Sequence, residues 1–247
     1  MAGSARVQYL KVLGIELFEP RATAPAAAAA AHPAPLAAVA ADPPARVDPA
    51  APAAEWETLK SEVMRCTRCA LHATRTQGVL GVGPGRADWL VIGEAPGAEE
   101  DRRGEPFVGA AGQLLDAMLK AIGLDRRTNV YIANILKSRP PGNRDPKPEE
   151  VAACLPYLRR QIALVQPRIM LAVGRIAAQN LLGTEAPLAR LRGQVHCFGD
   201  TPLVVTYHPA YLLRTPADKR KAWEDLKFAR SIYQQLTEGR ASHGNRS

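Results

Sequence analysis

The 247-residue chain holds 32 Lys and Arg against 24 Asp and Glu, a formal charge of +8, with four Cys and 21 Pro. No apolar run approaches the roughly 20 residues that a bilayer-crossing helix requires, which excludes a membrane span and sets the expectation of a soluble, cytoplasmic protein. Cysteines this few, with no export signal, do not read as a secreted disulfide framework; the basic excess favours a polyanionic partner, although a solvated basic surface accounts for the charge equally well.

In residues 1–20, Tyr9, Leu10, Val12, Leu13, Ile15, Leu17 and Phe18 form a short apolar peptide ended by Pro20. Residues 21–55 are dominated by Ala and Pro, have no periodic apolar positions and read as a disordered linker. An apolar peptide on such a tether is a docking motif, with a replication or repair protein as partner, a helix packed back on the domain, or a segment with no ordered structure. The folded domain is expected over residues 56–238, as a monomer, with residues 239–247 as a disordered tail.

From Trp56 onward short apolar runs alternate with amphipathic stretches. Trp89-Leu90-Val91-Ile92 leads into Gly93-Glu94-Ala95-Pro96-Gly97 and then a helix over 111–122. Val130-Tyr131-Ile132 leads into a polar segment from Asn134 to Asn143 and a helix over 148–165, whose Pro148, Glu149 and Glu150 suit a helix N-terminus. Ile169-Met170-Leu171-Ala172-Val173 precedes a helix over 174–182, and Leu203-Val204-Val205-Thr206 precedes His208-Pro209 and a last helix over 218–236. Each run is apolar at nearly every position, as strands buried on both faces are. Strands alternating with helices specify an α/β fold, a parallel sheet covered on both sides. Ligands of such sheets bind beyond the carboxyl ends of the strands, so the segments beginning at Gly93, Asn134 and His208 converge on one crevice.

The first segment, extended through Gly104-Glu105-Pro106-Phe107-Val108-Gly109, gathers acids, glycines and one aromatic. Glycines let backbone approach a ligand closely, the carboxylates can orient a water, and Phe107 offers a flat face to a planar ring; taken alone, an acidic loop with turn glycines is the plainer reading. Together with Asn134-Ile135-Leu136-Lys137-Ser138-Arg139-Pro140-Pro141-Gly142-Asn143-Arg144 and His208-Pro209-Ala210-Tyr211-Leu212-Leu213-Arg214, it resembles the family 4 uracil-DNA glycosylases, in the same order and spacing, over about residues 62–236. The resemblance implies a three-layer αβα sandwich around a four-stranded parallel sheet, and an enzyme that hydrolyses the N-glycosidic bond of deoxyuridine in uracil-containing DNA.

The chemistry then assigns roles. A stacked base must be rotated out of the duplex into a pocket. Asn134 matches the family's base-reading asparagine, since one side-chain amide meets both the O4 acceptor and the N3–H donor of uracil. Gly93 and Phe107 complete the base site, with Phe107 stacking on the flipped ring. By resemblance His208 donates a hydrogen bond to uracil O2 as charge gathers there. Glu94 and Glu100 are candidates for holding the water, with Asn143 near the sugar. In the basic setting of Arg139, Arg144, Arg214 and Lys219–Lys221, Leu212 is expected to fill the gap left by the flipped base, against the alternative that it caps the core.

The resemblance also implies a 4Fe-4S cluster on four cysteines. Cys66, Cys69 and Cys154 match three of those positions, but the other is Ser138. A cluster with Ser138 or solvent at one iron, recruitment of Cys197, zinc on three cysteines, or no metal all remain open. Cys154 also suits simple packing, on a helical stripe with Val151, Leu158, Ile162 and Val165. Two other functions compete with excision. One is a non-cleaving module that recognises uracil or damage and docks to replication proteins; Glu94, Asn134, Asn143 and His208 argue against lost activity. The other is a relative that traps uracil covalently through a histidine in the arginine-proline loop, against which Asn143 in Pro140-Pro141-Gly142-Asn143 speaks.

Overall fold

A computed structural model describes residues 52–243. The apolar peptide of residues 1–20, most of the Ala/Pro-rich stretch and residues 244–247 lie outside the described residues. The described chain runs α1 (Pro52–Arg65), a 3-10 turn (Ala70–Ala73), β1 (Trp89–Gly93), α2 (Ala98–Arg103), α3 (Ala110–Ala121), β2 (Val130–Asn134), a 3-10 turn (Pro141–Asn143), α4 (Pro148–Val165), β3 (Ile169–Val173), α5 (Arg175–Leu182), α6 (Leu188–Leu191), β4 (Val195–Phe198), β5 (Thr201–Thr206), α7 (Pro209–Arg214), a 3-10 turn (Pro216–Asp218) and α8 (Lys219–His243).

The sheet order is β2-β1-β3-β5-β4. β2, β1, β3 and β5 are parallel, and β4 adds an antiparallel edge on β5. The expected four parallel strands are therefore joined by a fifth. β4 escapes the search for continuous apolar runs because it is an edge strand, with Val195 and Cys197 exposed. Its trace in the sequence is the turn Gly199-Asp200, which closes a hairpin onto Thr201. The domain also begins earlier than residue 56, at Pro52, and its last helix runs to His243.

Successive strand residues point to opposite faces, and both faces are apolar. Leu90, Ile92, Ala133, Met170 and Leu203 pack on one side with Val151, Leu158 and Ile162 of α4 and Ala177, Ala178 and Leu181 of α5. Trp89, Val91, Ile132, Leu171 and Val204 pack on the other with Leu115 and Leu119 of α3 and Ala222, Leu226 and Ala229 of α8. This is the three-layer αβα arrangement, and it aligns the carboxyl ends of four parallel strands along one edge. α1 docks outside these layers, burying Leu59 and Val63 against Tyr157 and Leu164 of α4. Among the described residues no helix is long and apolar enough to cross a membrane.

Candidate functional site

The site starts where β1 and β2 end side by side. Gly93 and Asn134 are register partners. Gly93 O accepts from Ile135 N at 2.9 Å and Glu94 O from Leu136 N at 3.0 Å, extending the pairing past the strands. Asn134 is 2% exposed, and its Oδ1 is buried with no hydrogen-bond partner. A Cβ at position 93 would lie 2.4 Å from that oxygen and 2.6 Å from the Phe107 ring. Only glycine leaves amide and ring this close to the strand backbone. Beneath Asn134 sits Lys137, 1% exposed, whose Nζ donates to Asn134 O at 2.7 Å. Burial pulls its ammonium down to about 7, with nearby Cys154 opposing. No role was expected for Lys137, although it lies inside the segment that carries the family resemblance.

Phe107 reaches the site through a left-handed backbone, φ 56°, a conformation that costs a bulky residue about 1–3 kcal/mol unless its surroundings hold it. Arg126 supplies the hold, donating from Nη1 to Pro106 O at 3.2 Å and from Nη2 to Phe107 O at 2.9 Å, while its Nε binds Asp116 at 2.6 Å. The Phe107 ring centroid lies 5.6 Å from that of His208. Glu100, one of the candidates for the water, instead clamps this loop. Its Oε1 accepts from Val108 N at 3.1 Å and Gly109 N at 3.3 Å, and its Oε2 accepts from Gly97 N at 3.1 Å.

His208 stands at the end of β5 as the N-cap of α7, its Nδ1 accepting from Ala210 N at 3.1 Å. Nδ1 therefore carries no proton, and in the neutral ring the N–H is on Nε2. Burial pulls the imidazole down to about 4, with Arg214 acting in the same direction and Glu100 opposing, so the ring is neutral near pH 7. Gly174, φ 99°, lets β3 turn against it; a Cβ there would fall 2.9 Å from His208 Cβ.

The strand end that carries His208 is anchored by residues the sequence reading missed. Thr206 Oγ1 donates to Asp225 Oδ2 at 2.8 Å, and Arg192 binds both Asp225 oxygens, at 2.7 and 2.9 Å. The Arg192 guanidinium also lies 4.4 Å over the Tyr207 ring, which stacks on Tyr211 at 5.3 Å. Asp225 is 3% exposed. Removing one partner of such a buried pair strands the other, so Asp225→Ala is expected to lose about 3–5 kcal/mol of stability in thermal or urea melts. A melt close to wild type would show that the network holds nothing in place.

Glu94 follows Gly93 directly. Burial, with the Asp145 carboxylate adding to it and Arg175 opposing, pushes its carboxyl up to about 7. Arg175 and Asp145 pair at 2.7 Å. Asn143, φ 53°, is exposed at the rim, its Oδ1 accepting from Arg139 Nε at 2.8 Å. Thus Gly93, Phe107 and Asn134 meet directly, His208 adjoins Phe107, and Glu94 borders them.

Two further expectations are corrected. Leu212 is 1% exposed and belongs to the core, because Tyr211-Leu212-Leu213 is the short helix α7 and not a loop, and α7 turns Leu212 inward. Leu213, 43% exposed, is the side chain that faces outward. Arg144 is committed to Glu150 through two hydrogen bonds, at 2.9 and 2.5 Å, and to Asp145 O at 3.0 Å. It fixes the loop to α4 and is not a free phosphate contact. Arg214 remains exposed.

The cysteine positions do not fit a cluster held by four thiolates. Cys66 and Cys69 are half-buried and Cys154 is buried, but the Ser138 hydroxyl accepts a hydrogen bond from Arg75 Nη1 at 2.8 Å. Cys197 is exposed on the edge strand β4, away from them in the fold. Cys66, Cys69 and Cys154 share one neighbourhood, the first two adding to burial in pushing the Cys154 thiol up, although among the described residues no three His, Cys, Asp or Glu side chains form a closed metal-binding group.

Residues 80–227 match the family model described as the uracil DNA glycosylase superfamily. The chain is 47% identical over 174 residues to a type-4 uracil-DNA glycosylase of Archaeoglobus fulgidus, covering 67% of this chain and 87% of that protein. It is 43% identical over 180 residues to a type-4 uracil-DNA glycosylase of Pyrobaculum aerophilum, covering 70% and 91%. With a type-4 uracil-DNA glycosylase of Thermotoga maritima it shares 40% identity over 180 residues, covering 71% and 93%.

Proposed function

Since this chain belongs to the uracil DNA glycosylase superfamily, a family of enzymes, we propose that it flips uracil out of DNA and hydrolyses its N-glycosidic bond, leaving an abasic site for base excision repair. One observation carries this reading: a buried amide oxygen, Asn134 Oδ1, lies unpartnered beside an aromatic ring and over a glycine that makes room for a flat ligand. Buried acceptors are nearly always satisfied, so an orphan here calls for a donor brought by the substrate. The N3–H of uracil is such a donor, and its O4 accepts from the Asn134 Nδ2 on the same edge. Cytosine presents an acceptor at N3 and a donor at C4, which sets like against like.

With the base against Phe107, the bond from C1′ of the sugar to N1 of uracil stretches. Its electron pair moves into the base and charge gathers on O2, while the sugar becomes cationic. His208 meets O2 as a neutral Nε2–H donor; a cationic imidazole is not needed to stabilise an oxyanion by hydrogen bonding. Water adds to C1′ and surrenders a proton to the Glu94 carboxylate, leaving the uracil anion, a hydroxyl at C1′ and a protonated Glu94; protonation of the departing anion from solvent gives the free base, and Glu94 returns its proton to solvent. Arg139 and Arg214 supply positive charge for phosphates, and Leu213 is the apolar side chain placed to fill the vacated stack.

The reading is tested by incubating the protein with a labelled oligonucleotide containing one uracil. Alkali-labile breaks at that position are expected; retention of the oligonucleotide without breaks would instead favour the non-cleaving module. The tautomer is tested separately. The 15N shifts of the His208 ring are expected to remain those of the neutral Nε2–H form as pH falls, changing only near the value of about 4 that burial imposes. Titration above about pH 7, or a proton found on Nδ1 in place of Nε2, would remove the neutral-donor role.

A further inference from the structure

We propose that Arg75, acting through Ser138, fastens the cysteine-bearing segment to the sheet, and that the domain folds without an iron–sulfur cluster. Arg75 is half-buried and donates three hydrogen bonds that join three pieces of chain. Nη1 reaches Ser138 Oγ at 2.8 Å, in the loop beyond β2. Nη2 reaches Met64 O at 2.7 Å, near the end of α1, and Cys66 O at 3.1 Å, in the turn that follows. These are the segments that a metal bound by Cys66, Cys69 and position 138 would cross-link.

The residue type at 138 suits the guanidinium better than it suits iron. A hydroxyl oxygen is a good acceptor at 2.8 Å from a charged N–H donor, whereas a thiol is a weak one. Iron–sulfur clusters take thiolates, and a serine hydroxyl does not readily ionise to a comparable ligand. Ser138 is 4% exposed, so a hydroxyl there needs a protein partner, and Arg75 is that partner. The neighbouring backbone strengthens the same seam, with Val79 N donating to Lys137 O at 2.8 Å. Cys154 then packs as a small apolar side chain among Val151 and Leu158, in the core under α4.

The test uses the full chain, produced with iron and sulfur in excess and purified without oxygen. Iron, zinc and acid-labile sulfide are expected at well below one equivalent per chain, with no visible absorption, and a chelator is expected to leave the melting temperature unchanged. One or more equivalents of iron or zinc would overturn the proposal, whatever the uracil excision assay reports. Arg75→Met keeps the stem and removes the hydrogen bonds, and it is expected to melt at least about 5 °C lower. If that variant does not fold, Ser138→Ala, which removes a single bond, is expected to melt about 2–4 °C lower. A melt indistinguishable from wild type in the variant that folds would equally overturn the proposal.

Discussion

Asn134→Ala is expected to lose uracil excision by on the order of 10³-fold or more while keeping its fold, because sites that read a substrate through buried polar groups discriminate by factors of that size. The usual objection to an alanine variant, that it loosens the protein, has little force here. Asn134 Oδ1 takes no hydrogen bond from another protein group, so its removal breaks no side-chain contact within the fold. The contact from Lys137 Nζ goes to the Asn134 backbone oxygen and survives the change. Melting near the wild-type temperature together with lost excision is therefore the expected pair of results. Excision near the wild-type rate would remove the base-reading role and, with it, the reason this amide is left unsatisfied.

Glu94→Gln is expected to lower the single-turnover rate by about 10²–10⁴-fold, the range for a lost general base. In the wild-type enzyme the carboxylate is the working form. Its carboxyl is pushed up to about 7 by burial and by Asp145, so the rate should climb as pH rises through that value. Asp145→Asn removes a like charge and should move the climb to lower pH; Arg175→Met removes an opposite charge and should move it higher. Stability has the reverse sign. The folded state keeps a proton on Glu94 that the unfolded chain has released above the ordinary value of 4.5, so this residue makes the fold less stable as pH rises from there through about 7. Glu94→Gln should erase that slope and gain on the order of 1–2 kcal/mol at pH 8, after allowance for solvent screening of a half-buried group. A rate profile flat through neutral pH would place the general base elsewhere.

Much of the scaffold was legible in the chain because its signals are local. A run such as Ile169–Val173, short and apolar at every position between turn signals, suits a strand covered on both faces, and it is one. Pro148 followed by Glu149 and Glu150 marks a helix start by dipole and ring geometry alone, and α4 begins there. β4 escaped because an edge strand with one partner is not obliged to be apolar, and Val195 and Cys197 face solvent.

Local pattern specified the α/β alternation and the three loops beyond the strand ends, and the family resemblance supplied the residue types that suit a pyrimidine. Packing alone decided which of them are free to act. Leu212 and Leu213 are adjacent in the chain, yet a helical turn buries one and exposes the other. Glu94 and Glu100 are both acids of one loop, but three backbone N–H groups bind Glu100 while burial beside Asp145 raises Glu94. The tautomer of His208, the left-handed turn at Phe107 and the hold of Arg75 on Ser138 depend on partners from 2 to 63 positions away. Local patterns specify elements because backbone geometry repeats every few residues, whereas hydrogen bonds and burial belong to pairs that only the folded chain brings together.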